Sequence, residues 1–291
     1  MSEAGHVAWP STTGPVWEFD WRLTDYPDQE GIVIRAARYR GHQVFYKASL
    51  PSLRVQYDGP CGPYKDPLNY NNAKPTGRCP GSRVCVYSYT SNGVRGLAVE
   101  SYHTIGAYRL THRWVFWEHG WVMPRLYSAG LQCPYDHRHH AYWRFDFDID
   151  GAGRDVALEF NTYTPDQGWG AGWHTKRWET TRRKNPSSRR SWAILDVDSG
   201  RGFHVLPGPG DGTADAFSAS DLWVLRYRGA EDLYGRQGSA AADELGAYLT
   251  AEPTDGQDLV LWYAGHLAHE AHDGEGDWHS VGPNLAPFGA W

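Results

Sequence analysis

The chain lacks any run of apolar residues approaching the ~20 that a membrane-spanning helix needs. Its first residues, Met1-Ser2-Glu3-Ala4-Gly5-His6, show no basic stretch followed by an apolar core. No secretory leader is therefore predicted, and a cytoplasmic location is expected. Long blocks of one charge sign are missing too. The net charge of −6 is dispersed, which gives no electrostatic footprint for nucleic acid. The one basic cluster, Arg182-Arg183-Lys184 with Arg189-Arg190, surrounds Asn185-Pro186-Ser187-Ser188 and reads as a solvated hairpin loop. Cysteine is scarce. Cys61, Cys79, Cys85 and Cys133 follow no zinc-ligand spacing. In a cytoplasmic setting they are expected as free thiols, although Cys79 and Cys85 are near enough in sequence to close a small loop. Helix signals are confined to one or two turns over 240–248. No internal repeat and no Pro/Ser linker divides the chain.

What is present is aromatic and strand-like. The 291 residues are 41% hydrophobic and 21% charged, a balance that supports a packed core. Fifteen Trp and 18 Tyr favour strands and pocket walls. Alternating or β-branched segments predict strands at 17–23, 31–39, 43–50, 84–90, 95–105, 112–125 and 140–150. Others are predicted at 154–162, 190–197, 201–206, 222–228 and 258–264. Asn92-Gly93, His119-Gly120, Asp150-Gly151 and Ser199-Gly200 are hairpin signals. Residues 58–83 are rich in Gly, Pro and Asn and read as one long excursion, a length often tied to function. The prediction is an all-β chain: a loose N-terminal arm over 1–16, then a single large β-sandwich over 17–291.

Three histidines carry the chemistry. His137 and His139 occupy alternate positions in Tyr135-Asp136-His137-Arg138-His139-His140, at the head of a predicted strand. Alternation aims both imidazoles at one face. His269, about 130 residues later behind the last predicted strand, can close a three-nitrogen site. Imidazole suits copper, zinc, iron and nickel. His140, His266 and His272 are expected outside that set.

At this point several blocks resemble, in order and in internal spacing, the catalytic domain of the copper amine oxidases. The likeness runs from about Trp17 to Trp278. It is carried by Glu30-Gly31-Ile32-Val33-Ile34 with Phe45-Tyr46-Lys47-Ala48-Ser49-Leu50, by His137-Arg138-His139 with Arg144 to Gly151, by Asp221 to Tyr227, and by Gly256 to Trp262 with His269. The resemblance implies a β-sandwich with a buried site. It implies copper on His137, His139 and His269. It implies that Tyr108, in Thr104-Ile105-Gly106-Ala107-Tyr108-Arg109, matches the precursor that copper and O2 convert to topaquinone, the group that condenses with a primary amine. Tyr57 matches the tyrosine that hydrogen-bonds the quinone. Asp146 and Asp258, with the Phe147 and Leu259 carbonyls, match a secondary calcium or sodium site, strand-end hydrogen bonding being the other reading. Family members are longer and embrace a dimer partner through hairpin arms. Here the matching loops are short, which leaves a homodimer open.

The departures are local. The family has Asn before the precursor and an acid after it, whereas this chain has Ala107 and Arg109. A pocket-facing Arg109 would hold a carboxylate or phenolate. The family's catalytic base, an Asp, falls at Asn71, with Asn72 one residue away, and an amide cannot act as a general base. Asp66 is a nearby carboxylate that could substitute. Tyr108 is thus a quinone precursor, an unmodified tyrosine beside copper, or a packing residue. The leading expectation is a copper-dependent oxidoreductase that applies O2 to a small aromatic or amine-containing metabolite, as a biosynthetic tailoring step. A topaquinone-dependent primary amine oxidase, a non-redox cyclase or lyase, and a non-catalytic copper-binding protein are the alternatives.

Overall fold

The computed structural model describes residues 3–163, 171–215, 217–234, 239–241, 243–274 and 276–291. The strands, in chain order, begin with β1 (Glu3–Trp9), β2 (Trp17–Leu23), β3 (Ile32–Tyr39), β4 (His42–Tyr57), β5 (Tyr64–Lys65), β6 (Ala73–Lys74) and β7 (Val84–Ser91). Next come β8 (Val94–Ile105), β9 (Tyr108–Trp117), β10 (Val122–Ala129), β11 (His137–Phe147), β12 (Asp155–Asn161), β13 (Gly172–Lys176) and β14 (Thr180–Arg182). The last are β15 (Ser191–Asp196), β16 (Arg201–Leu206), β17 (Leu222–Arg226), β18 (Leu259–His269), β19 (His279–Val281) and β20 (Asn284–Gly289). Two antiparallel sheets result. One is ordered β1-β2-β3-β4-β11-β18-β17-β14 with β5 on β4. The other is ordered β13-β12-β15-β16-β20-β10-β9-β8-β6 with β7 on β8 and β19 on β10. The predicted all-β sandwich is what forms.

Strand β11 is central in the first sheet and buried on both faces. Ala141, Trp143, Phe145 and Phe147 enter the main core between the sheets. Tyr142, between them, joins a smaller cluster on the outer face with Trp223, Trp262 and Tyr234. That double burial is why its sequence is not a simple apolar–polar alternation. It also decides where His137 and His139 go, since they share parity with Trp143 and so face the space between the sheets. β18 pairs with all of β11 without a slip, from Phe147↔Leu259 to His137↔His269. β4 pairs on the other side but carries one extra residue between Ser49 and Ser52. Pro51 lies in that bulge, the place in a central strand where a residue without an N–H fits.

Several expectations are corrected. Residues 3–9, expected as part of a loose arm, form β1, paired residue for residue with β2 from Glu3↔Leu23 to Trp9↔Trp17. The strand expected at 112–125 is two, β9 and β10, folded at the His119-Gly120 turn; Gly120 has φ +95°, and a Cβ there would meet Pro287 and Tyr39. The helix signal at 240–248 yields a single 3-10 turn, Leu245–Tyr248, and a second turn spans Glu231–Leu233. The cysteines expected as free thiols are joined as Cys61–Cys133 and Cys79–Cys85, with Cα separations of 6.4 and 5.6 Å. The basic cluster is a solvated loop only in part, with Arg183 and Arg189 exposed. Lys184 is buried, and its ammonium donates to the Ala264 carbonyl at 2.6 Å and faces Asp221 at 3.4 Å. Arg182, Arg190 and Lys176 converge on Glu159, which is 1% exposed. No described helix is long and apolar enough to cross a membrane.

Candidate metal centre

The sheet ladder assembles the site. Residue pairing sets Tyr57, His137 and His269 abreast on β4, β11 and β18, at the same end of the three strands. Their rings stack in a row, with centroids 4.7 Å apart for Tyr57 and His137 and 4.9 Å for His137 and His269. His139, two residues along and on the same face, lies 5.1 Å from each of the other two histidine rings. One ligand atom from each of the three histidines falls within 4.8 Å of the others. All three are at most 2% exposed.

Tyr108 arrives from the opposite sheet. It is the first residue of β9, directly after the two-residue turn Gly106-Ala107 that closes the β8–β9 hairpin. Gly106 has φ +55°, which favours glycine. Gln132 holds the turn by accepting the Ala107 N–H at 2.8 Å. The Tyr108 hydroxyl lies 3.2 Å from His137 Nε2 and is hydrogen-bonded to the Tyr57 hydroxyl. A disulfide spans the same end. Cys61 sits four residues after Tyr57 and Cys133 four before His137, so the bond ties together the loops that enter and leave the site.

The charge state suits a metal. Burial depresses all three imidazoles: His139 falls well below its ordinary value, and His269 falls to about 3. Burial also lowers His137. They are neutral at physiological pH, the form that donates a lone pair. His139 Nδ1 and both ring nitrogens of His269 are buried without a hydrogen-bond partner. Orphaned buried nitrogens cost free energy unless something meets them. Two imidazoles with orphaned nitrogens, and a third within ligand distance of them, fit a copper or zinc ion, and the residues present therefore pass the test for the implied metal.

Beside Tyr108 lies a cavity of about 220 Å³ lined by Tyr64, Asp66, Ile105, Gly106, Tyr108 and Gln132. Asp66 is 7% exposed and its Oδ2 has no partner. Burial pushes its carboxyl up to about 7. Asp66 also helps, after burial itself, to raise the Tyr57 phenol. The position matched to the family's base, Asn71, does not reach this cavity. Asn71 is exposed, is held in a turn through its backbone N–H to Asn69 Oδ1 at 3.0 Å, and does not line the cavity. Asn72 is scaffolding: its amide donates to the Pro67 carbonyl and its Oδ1 meets His103 at 2.7 Å. Arg109 is likewise corrected. It follows Tyr108 on β9, so alternation directs it away from the cavity, whose lining excludes it. Ala107 is exposed in the turn.

Asp146 and Asp258 do come together, and Asp148 joins them within 4.8 Å. Arg144 neutralises part of that charge, with two nitrogens 3.1 Å from Asp146 Oδ2. Even so, burial raises Asp146 to about 7 and Asp148 to about 6. Such a set of oxygens suits a hard cation. His140 and His266 are buried on the outer face of the first sheet, hydrogen-bonded to each other at 2.8 Å, and His266 continues to Asp221 at 2.7 Å. His272 is exposed. Sequence reasoning missed Gln132, Tyr64 and Asp148, whose roles come only from where loops fold back. It also missed Ser128, whose Oγ lies 3.5 Å from His139 Nε2.

No protein-family model matches the chain. Among solved structures it is similar to the Aspergillus nidulans amine oxidase, at 14% identity and TM-score 0.73 over 94% of this chain and 51% of that one. It is similar to the copper-containing benzylamine oxidase of Hansenula polymorpha, at 16% identity and TM-score 0.69 over 94% and 58%. It is similar to the Pichia pastoris lysyl oxidase, at 16% identity and TM-score 0.70 over 97% and 54%. The fold is that of the copper amine oxidases, at a distant relationship, and the chain spans about half the length of these structures.

Proposed function

We propose that this chain is a copper-dependent oxidoreductase that uses O2 on a small aromatic or amine-containing molecule. The observation that carries the reading is the convergence of three buried, neutral imidazoles with a tyrosine hydroxyl 3.2 Å from one of them. His137, His139 and His269 would hold the ion. Copper there would supply the one-electron and O2 chemistry that side chains lack. Tyr57 and Tyr108 share a hydrogen bond, so a proton can pass between their hydroxyls. The stacked Tyr57, His137 and His269 rings hold those hydroxyls in place. The 220 Å³ cavity, open to solvent on one side, would receive a small molecule beside Tyr108.

The test is metal content and oxygen uptake together. Copper should bind at the three-histidine site, and His139→Ala should lose both copper and O2 consumption with a panel of primary amines and phenols. Turnover that survives metal loss would reject the copper reading in favour of a non-redox use of the cavity.

A second reading is favoured by Asp66. A buried carboxylate with a pKa about 7, in the same cavity as Tyr108, is suited to take a proton from a substrate carbon. With Arg109 directed elsewhere and Ala107 in the outer turn, the two changed neighbours of Tyr108 do not fill that cavity. This arrangement supports a topaquinone-dependent primary amine oxidase, with Tyr108 as the precursor and Asp66 as the base in place of Asn71. Copper and air should then add two oxygens to Tyr108 and remove two hydrogens, seen as a mass gain on its peptide. An unaltered peptide after loading leaves Tyr108 as a tyrosine beside the metal.

A further inference from the structure

We propose that His269, Asp273 and His279 form a second metal position, contiguous with the three-histidine site, for a divalent transition ion of the imidazole-binding class. Each residue offers a ligand atom within 4.8 Å of the other two. They come from different elements. His269 ends β18 in the first sheet, and His279 begins β19, which adds to the second sheet opposite Ser128. Asp273 sits in the turn between them, fixed by its N–H to the Glu270 carbonyl and by the Glu270 N–H to its Oδ2, both at 2.9 Å. The register that sets His137 beside His269 thus also brings His279 edge-on against the same imidazole, with ring centroids 4.6 Å apart.

The spacing is that of ligands rather than of an ion pair. His279 Nε2 lies 3.0 Å from Asp273 Oδ2, yet that nitrogen makes no hydrogen bond, because the carboxylate is off its N–H direction. Two donors each ~2.1 Å from one ion stand roughly 3.0–3.5 Å apart when they are neighbours in its shell. His269 Nδ1 lies 3.7 Å from the same Asp273 oxygen, too far for a hydrogen bond but within the span of two ligands on one ion. Both His269 nitrogens are buried without a partner. With both ions bound, His269 gives up its remaining ring proton to solvent and bridges as an imidazolate, one nitrogen to each ion, with Nδ1, the nitrogen near Asp273, toward the second. Two imidazoles and one carboxylate suit zinc, copper, nickel or iron. The first position is sealed, whereas the His279 side chain is 38% exposed and that of Asp273 13%. The second ion is therefore the exchangeable one.

The proposal does not depend on which metal fills the first position. The full chain is stripped, loaded with excess Cu²⁺, desalted and analysed for metal per chain. Two ions per chain are expected in the parent. One is expected in His279→Ala and in Asp273→Asn, the milder variant guarding against misfolding, and brief chelation of the parent should also leave one. One ion per chain in the parent, unchanged in both variants, overturns the second position while leaving the copper reading intact. No bound ion at all would sink both. Two ions retained in both variants would place the second elsewhere and also overturn the assignment.

Discussion

Asp66 offers a test that needs no knowledge of the substrate. Its carboxyl is buried, with Oδ2 unpartnered, and stands at about 7 in the folded chain against 3.8 when unperturbed. Burial disfavours the charged form, so the folded state holds the proton more tightly than the unfolded state. By linkage the favourable contribution is complete below about 4, declines as pH rises, and is fully lost above about 7. The whole effect is worth about 4 kcal/mol, and roughly half of it or a little more falls between pH 5 and 8. Asn is nearly isosteric with Asp but does not ionise. Asp66→Asn should therefore become more stable relative to the parent by about 2–3 kcal/mol as pH goes from 5 to 8. Urea unfolding at the two pH values, with both disulfides intact, measures this directly. A stability difference that does not change with pH would refute the assignment of a protonatable carboxyl at this position, and with it Asp66 as a base near neutral pH. If a substrate is found, the same variant should lose ~10²–10⁴-fold in turnover and lose the inflection near neutrality.

Three further outcomes follow. Lys184→Met removes the cation buried against Asp221 and should cost about 3–5 kcal/mol in denaturant unfolding, because the buried carboxylate keeps only its neutral partners and the Asp211, Gly212 and Ala264 carbonyls lose their donor; a change under 1 kcal/mol would show that the segment is solvated after all. The Cys61–Cys133 bond closes a loop with a sequence separation of 72, worth about 4 kcal/mol in the chain-entropy view. Replacing both by Ser should lower the Tm and loosen the metal site, whereas free thiols in the native protein by mass spectrometry would contradict the pairing. Calcium should raise the Tm of the parent but not of Asp258→Asn if Asp146, Asp148 and Asp258 hold a hard cation; equal responses would assign those carboxylates to hydrogen bonding alone.

The two disulfides bear on location. Such bonds persist in oxidising compartments and are rare in the reducing cytoplasm. The thiol count of protein isolated from its source therefore tests both the pairing and the cytoplasmic expectation.

Much of the fold was legible in the residues. Period-two patterning placed most central strands, and Asn92-Gly93, Asp150-Gly151 and Ser199-Gly200 marked real turns. β1, β13 and β14 were not legible, because short edge strands take their structure from the neighbour they pair with and carry little pattern of their own. The basic cluster misled for a related reason. Lys184, Arg182 and Arg190 look solvated until Asp221 and Glu159, both distant in sequence, are folded against them.

By itself the sequence determined which two histidines stand together. His137 and His139 must share a face of any strand, whatever that strand packs against. Tertiary structure alone decided what surrounds them. Which carboxylate reaches Tyr108 depends on how the 58–83 excursion folds back, and it brings in Asp66 while leaving Asn71 in solvent. Whether Arg109 enters the cavity depends on the parity of β9 against the opposite sheet, and it does not. Asp273 and His279 reach His269 only because β18 and β19 belong to different sheets that meet at that corner. Local period is written in neighbouring residues, whereas the meeting of loops and sheet edges is set by long-range pairing that no short stretch of sequence encodes.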